Sequence, residues 1–357
     1  MLSRAQAVIE EGVDWASLLS DSGKQGTFNL VYKNLGKLKN VPGDLLGKFK
    51  NAYYCSLRCN ILTISEHDRI IEGLNGRGID VISLKGPMTA EAIFGDIGLY
   101  PSGDIDILVK VRDIQRMKDF LESDGYVLLD KGFDDYRDFF IRELYHISLS
   151  KDGYVIEPHW NLFFRYFTAP PEFWWEESRA ASMEGKSYLF LSPEKNILYN
   201  SFRLFSKGFC NLRFLGMAAE LIKYYRDEID WERMFSDAGR FKFENVLRTV
   251  LAMSAELLGA PVPGAYARIK GLRARFLYRS ALKMLLSGTD PDPVHKMMFA
   301  FLRDDLAGSF RVLLRRFFPS MGEIVSRYHL PVSSGKAVVY YILNPFFLVA
   351  RRRRKLS

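Results

Sequence analysis

Asp104 and Asp106, in the run DIDILVK (104–110), are the pair whose type and spacing suggest chemistry. Apolar and polar residues alternate through the run, which predicts a strand whose side chains point to opposite faces in turn. The two carboxylates then share a face, about 7 Å apart at Cα for a rise near 3.3 Å per residue. Like charges so close raise each other's proton affinity unless a cation lies between them. A divalent ion, Mg²⁺ or Mn²⁺, would remove that cost, since such ions take carboxylate oxygens together with substrate phosphates. Such ions align a nucleoside triphosphate and offset charge at the attacking and leaving oxygens. Two solvated aspartates on an exposed strand edge are the alternative.

Glu157 is the second piece. In a strand over VIEPH (155–159), Val155, Glu157 and His159 share a face, and Ile156 and Pro158 take the other. From a neighbouring strand Glu157 would complete a three-carboxylate site, as a metal ligand or as the base that takes a proton from an attacking hydroxyl. His159 either orients Glu157, meets a phosphate, or is a packed histidine beside Trp160. Pro158 has no N–H, which predicts that this end lies at a sheet edge or has left the ladder. The third piece is Lys85-Gly86. A strand, a glycine turn and a helix let backbone N–H groups approach a phosphate at the helix N-terminus, and Lys85 could reach a triphosphate oxygen. A plain tight turn fits the same residues.

These residues need elements to position them. Residues 1–78 read as helical from apolar spacing through Ile9, Val13, Leu18 and Leu19, and again through Ile61, Ile64, Ile70, Ile71 and Leu74. DVISL (80–84) reads as a buried strand, and 87–94 as a short helix with Pro87 in its first turn. Gly95 to Gly103 is a loop. Residues 112–123 form an amphipathic helix that stops before Gly125, followed by a strand over 126–129. Residues 145–150 and 154–160 flank Lys151-Asp152-Gly153, a hairpin signal. From Ser192-Pro193-Glu194-Lys195, an N-cap and first turn, the chain reads as helix again. The fold class is therefore α+β: a mixed unit of about 79–191 between a helical region (1–78) and a helical domain with a basic tail (192–357).

Composition narrows the partners. A 48% apolar and 26% charged chain folds rather than staying disordered. Five of the eight net positive charges lie in Arg351–Lys355, so the body is only mildly basic, a weak footprint for nucleic acid. Residues 268–283 carry six basic and no acidic side chains, fitting either a solvated helix face or phosphate contacts that weaken with salt. The segment Tyr340–Val349 before the arginines reads as packed aromatics with a solvated tail, or as a peripheral contact with an anionic membrane. Ala337–Ala350, at 14 residues, is too short to span a bilayer, which takes about 20. Cys55, Cys59 and Cys210 form no even framework, so reduced thiols, no disulfide-linked partner and a cytoplasmic location are expected.

LKGPMTAEAIF (84–94), GDIDILV (103–109), DGYVL (124–128) and VIEPHWNL (155–162), with YKNL (32–35) and IDWERM (229–234), together resemble a bacterial family of uncharacterised nucleotidyltransferase-like proteins in the DNA polymerase β superfamily. The resemblance extends along most of the chain and implies a nucleotidyltransferase-type sheet. It implies Asp104, Asp106 and Glu157 as catalytic, metal-binding carboxylates. Lys85, Gly86, Ser102, Gly103 and His159 would be the contacts to a nucleoside triphosphate such as ATP. The acceptor hydroxyl is left open between an RNA end, a protein and a small molecule. A non-catalytic binding or accessory protein of the same fold is the alternative. Three departures stand out: Lys-Gly-Pro replaces the usual Gly-Ser turn, Tyr100-Pro101-Ser102 stands where relatives carry an arginine, and Tyr199 to Phe209 contains no histidine.

Overall fold

The computed structural model describes residues 2–130, 132–164, 167–183, 185–288, 299–328, 330 and 335–353. Four helices come first: α1 (Leu2–Glu11), α2 (Trp15–Lys24), α3 (Phe28–Leu35) and α4 (Gly43–Asn75). The 33 residues of α4 make it about 50 Å long at 1.5 Å per residue. Its last turns bury Ile70, Ile71 and Leu74, spaced to keep one face on the sheet that follows.

The sheet has seven strands: β1 (Val81–Ser83), β2 (Ile105–Val109), β3 (Val127–Leu128), β4 (Leu149–Lys151), β5 (Tyr154–His159), β6 (Arg179–Met183) and β7 (Lys186–Phe190), in the order β3-β4-β5-β2-β1-β7-β6. It is mixed: β2 runs parallel to β5 and β1 to β7, and the other neighbours are antiparallel. Helices α5 (Pro87–Phe94), α6 (Ile114–Ser123) and α7 (Arg137–Glu143) lie within this stretch. Asp152 and Gly153 both take positive φ, 49° and 88°. That is the two-residue turn whose twist matches a hairpin, and it sets the β4–β5 register.

Both faces of the sheet are covered at its centre, which explains β2. All five of its residues are buried. Ile105, Ile107 and Val109 enter a core with α4 and α6, through Ile70, Leu74, Met117 and Leu121. Leu108 enters the other, larger core, built with α8 (Pro193–Ser206), α9 (Leu212–Tyr224), α10 (Trp231–Arg240) and α11 (Glu244–Leu258). Each fully buried branched residue contributes about 1.5–3 kcal/mol. The alternation predicted for β2 therefore separates two interiors, and Asp106 lies on the face toward α8.

Pro158 corrects an expectation. It lies in an interior strand, in register with Ile107 of β2. What it thins is the ladder toward β4: Ile147 N–H donates to the Pro158 carbonyl (3.3 Å), but proline has no N–H to return. Two elements are new relative to the sequence reading. The hairpin β6–β7 borders the sheet, and the edge strand β6 (RAASM) is exposed or half-buried throughout. With no apolar face it lacks the period-two signal. Helix α7 is only seven residues long, too short to show a helical period.

Beyond α11 come α12 (Gly264–Ala267), α13 (Leu272–Ser287), α14 (Leu306–Phe317), α15 (Met321–Tyr328) and α16 (Lys336–Arg353). Ser192 caps α8 as its sequence suggests: Oγ accepts from Lys195 N–H (3.4 Å), and Pro193 opens the helix. Pro291 and Pro293, and the last tail residues including Arg354 and Lys355, lie outside the described residues.

Candidate metal and nucleotide site

Parallel pairing of β2 with β5 puts Asp106 opposite Glu157 and Leu108 opposite His159. Two acids and an imidazole thus meet on the face toward α8. His159 Nε2 lies 3.0 Å from Asp106 Oδ1 and 3.9 Å from Glu157 Oε2. One donor atom from each of Asp106, Glu157 and His159 lies within 4.8 Å of the others, close enough to share an ion. Asp104 is outside this group. It precedes the first residue of β2, and its Oδ2 instead meets Lys85 Nζ at 3.1 Å.

Lys85 is the central cation. Its Nζ is also 2.7 Å from Asp106 Oδ2, so one ammonium bridges both aspartates. The position between them that the sequence assigns to a metal is already next to a positive charge. Asp106 Oδ2 is buried, and the Lys85 ammonium is its charged neighbour. Burial alone would favour neutral Asp106, but the Lys85 charge and the His159 hydrogen bond outweigh it and hold its pKa well below the usual range. Burial likewise opposes charge on Lys85, and Asp106 outweighs it, raising that pKa. Glu157 differs: burial, then the Asp106 charge, raise its pKa. It is the acid here with the least compensation.

The loop before β2 is held by the helical N-terminal region. Asn60, fully buried in α4, donates to the carbonyls of Ile97 (2.5 Å) and Tyr100 (2.9 Å), and its Oδ1 accepts from Ser102 N–H (3.2 Å). Ser102 Oγ then donates to the Asp104 carbonyl (2.9 Å). Gly86 precedes α5 with φ 93°, a value that favours glycine, and a Cβ there would come within 3.1 Å of Ser102 Oγ. Ser102 of the next loop thus packs against the glycine turn after β1. Gly103 lies beside it with open space around its Cα.

Other groups around the site have no local sequence signal. Arg203 on α8 lies close enough to Asp106 and Lys85 to affect both; burial opposes its charge, but Tyr100, Tyr199 and Asp106 more than compensate. Arg213 on α9 donates to the Pro101 carbonyl (3.1 Å) and stacks on Tyr100 (5.0 Å). Arginines thus reach the loop from helices about a hundred residues away. His146 stacks on His159 (5.0 Å between centroids), its pKa lowered to about 3 by burial and then by His159. The two-residue turn observed at 152–153 sets position 146 opposite 159.

A mixed α+β sheet that collects two carboxylates and a histidine beside a lysine-glycine turn defines a nucleotidyltransferase-like protein. The chain belongs to the uncharacterised nucleotidyltransferase family, whose profile matches residues 11–259. Searches of curated proteins and of solved structures found no match.

Proposed function

We propose that the chain transfers a nucleoside monophosphate from a ribonucleoside triphosphate, ATP among them, to a hydroxyl acceptor. One observation carries the reading: Asp106 and Glu157 stand in register on parallel neighbours with His159 beside them. Two carboxylates and an imidazole form a donor set suited to Mg²⁺ or, with the nitrogen ligand, Mn²⁺. Asp106, Glu157 and His159 would hold the ion, with Asp104 beside it. When bound, the ion supplies positive charge for the triphosphate and the leaving pyrophosphate. Lys85, Gly86, Ser102 and Gly103 line the turn that would meet phosphate oxygens. Glu157, with its raised proton affinity, suits the removal of the acceptor proton. The acceptor oxygen bonds to the α-phosphorus as the bond to the β-phosphate oxygen breaks, and pyrophosphate leaves. An RNA end, a protein or a small molecule could supply the hydroxyl, and a cytoplasmic site fits the triphosphate supply. Among the described residues no helix is long and apolar enough to cross a membrane.

A second reading, a non-catalytic binding protein of this fold, is favoured by one observation. The Lys85 ammonium already bridges Asp104 and Asp106 and offsets one of their two charges, so a cation stands between them without an added ion. Binding and turnover of the four ribonucleoside triphosphates, with Mg²⁺ or Mn²⁺ and cell extract as acceptor source, separates the two. Pyrophosphate release abolished by both Asp104→Asn and Asp106→Asn supports the transferase. No triphosphate binding, with variants indistinguishable from the parent, leaves the binding protein.

A further inference from the structure

Residues 306–357 hold ten basic side chains and one acidic one, a formal +9, whereas residues 1–305 come to −1. The net positive charge of the chain therefore lies wholly beyond the stretch that matches the family, 11–259. This segment also presents rows of apolar residues outward. On α14 the small residues Gly308 and Ser309 are buried, while Leu306, Phe310 and Leu314 project outward at four-residue spacing, 52%, 57% and 61% exposed. Exposed Arg311 and Arg315 stand beside them. On α16 the polar Asn344 is buried, while Val338, Val339, Ile342 and Phe346 are exposed.

A helix packed in water keeps its apolar stripe inward. α16 does pack Ala337, Tyr340 and Tyr341 inward on Ile324 and Val325, but both helices carry a further apolar row outward, and they are tied to each other. Asn344 Nδ2 donates to the Phe317 carbonyl (2.8 Å), and Phe318 meets Tyr341 at 6.1 Å between ring centroids. The outward rows thus belong to one packed unit.

We propose that the α14–α16 face rests on an anionic lipid surface, its apolar rows entering the headgroup–acyl boundary and its arginines meeting lipid phosphates. Apolar rows flanked by arginines match that surface chemically. An RNA backbone would pair with the arginines but offers nothing to a row of leucine and phenylalanine. A second copy would set one +9 segment against another. Neither α14 nor α16 spans the bilayer, so the protein lies on the membrane. The tail Arg351–Lys355 adds charge at the end of α16. This inference needs no nucleotide and stands apart from the proposed reaction.

The test is flotation of the full chain with phosphatidylcholine vesicles made with and without phosphatidylglycerol. The expected result is co-flotation with the anionic vesicles only, weakening as salt rises. Leu314→Asp and Phe346→Asp should each reduce it about tenfold while leaving the thermal melt in place, since both side chains are exposed. Tyr224→Asp, at an exposed apolar position on α9, should float like the parent. The proposal is overturned if the parent stays with the soluble fraction. It is also overturned if the two variants float unchanged, or if they break an RNA complex or a dimer rather than vesicle binding.

Discussion

Two buried histidine–carboxylate groups lie along this sheet, and they are built differently. At one, His67 Nε2 meets Ser83 Oγ (2.9 Å) while Nδ1 faces Asp68 (3.5 Å). Asp68 also accepts from Tyr188 (2.7 Å) and Lys186 (3.0 Å). The single acid is matched by its own donors, and Lys186 reaches it from solvent. At the other, Asp104, Asp106 and Glu157 share Lys85, His159 and the nearby Arg203. A matched group stitches α4 to the sheet. An unmatched one leaves negative charge that the proposed ion would offset.

The contrast can be broken most forcefully at its two aspartates. Asp106→Ala strips Lys85 of its buried counter-charge and should cost about 3–5 kcal/mol in urea unfolding. Asp68→Ala should cost about 1 kcal/mol or less, since Lys186 returns to water. Equal losses would erase the distinction. Next comes Lys85→Met, which leaves the acids uncompensated. In EDTA it should lose about 2–3 kcal/mol, and Mn²⁺ at a hundred times its Kd should restore about 2.7 kcal/mol. A loss that Mn²⁺ cannot restore would mean that Lys85 serves packing alone.

Glu157→Gln is the sharper and smaller probe. The folded pKa of Glu157 is raised, so its contribution is fully present below the unfolded value and lost as pH rises through the folded one. Removing the charge should therefore raise the melting temperature at pH 7 in EDTA by about one or two degrees and abolish any gain from Mn²⁺. A lower melting temperature in EDTA would show that Glu157 is already compensated. The smallest effect is expected at Asp68, whose pKa falls to about 2: burial opposes the charge, but the His67, Tyr188 and Lys186 contacts outweigh it. A lowered carboxylate pKa gives stability above the unfolded value, lost as pH falls through the folded one. Asp68→Asn should flatten the acid limb of unfolding between about pH 4 and pH 2. An unchanged limb would separate Asp68 from acid unfolding.

Much of this was legible in the primary structure, for local reasons. Alternation marked β2, Lys151-Asp152-Gly153 marked the β4–β5 hairpin, and Ser192-Pro193 marked the start of α8; each depends on neighbours within a few residues. Because side chains alternate, Glu157 and His159 had to share a face; Asp104, one residue before β2, instead meets Asp106 through Lys85. Tertiary structure decided the rest. It chose parallel pairing of β2 with β5, which makes Asp106 rather than Asp104 the partner of Glu157, and it turned Lys85 back between the aspartates. It brought Arg203 and Arg213 to a loop a hundred residues earlier and placed Ser102 against Gly86. Local patterns fix the direction of a side chain, but its neighbours across the sheet follow from strand order and from which helices cover each face. Those depend on burial summed over the whole chain, which no short window of sequence contains.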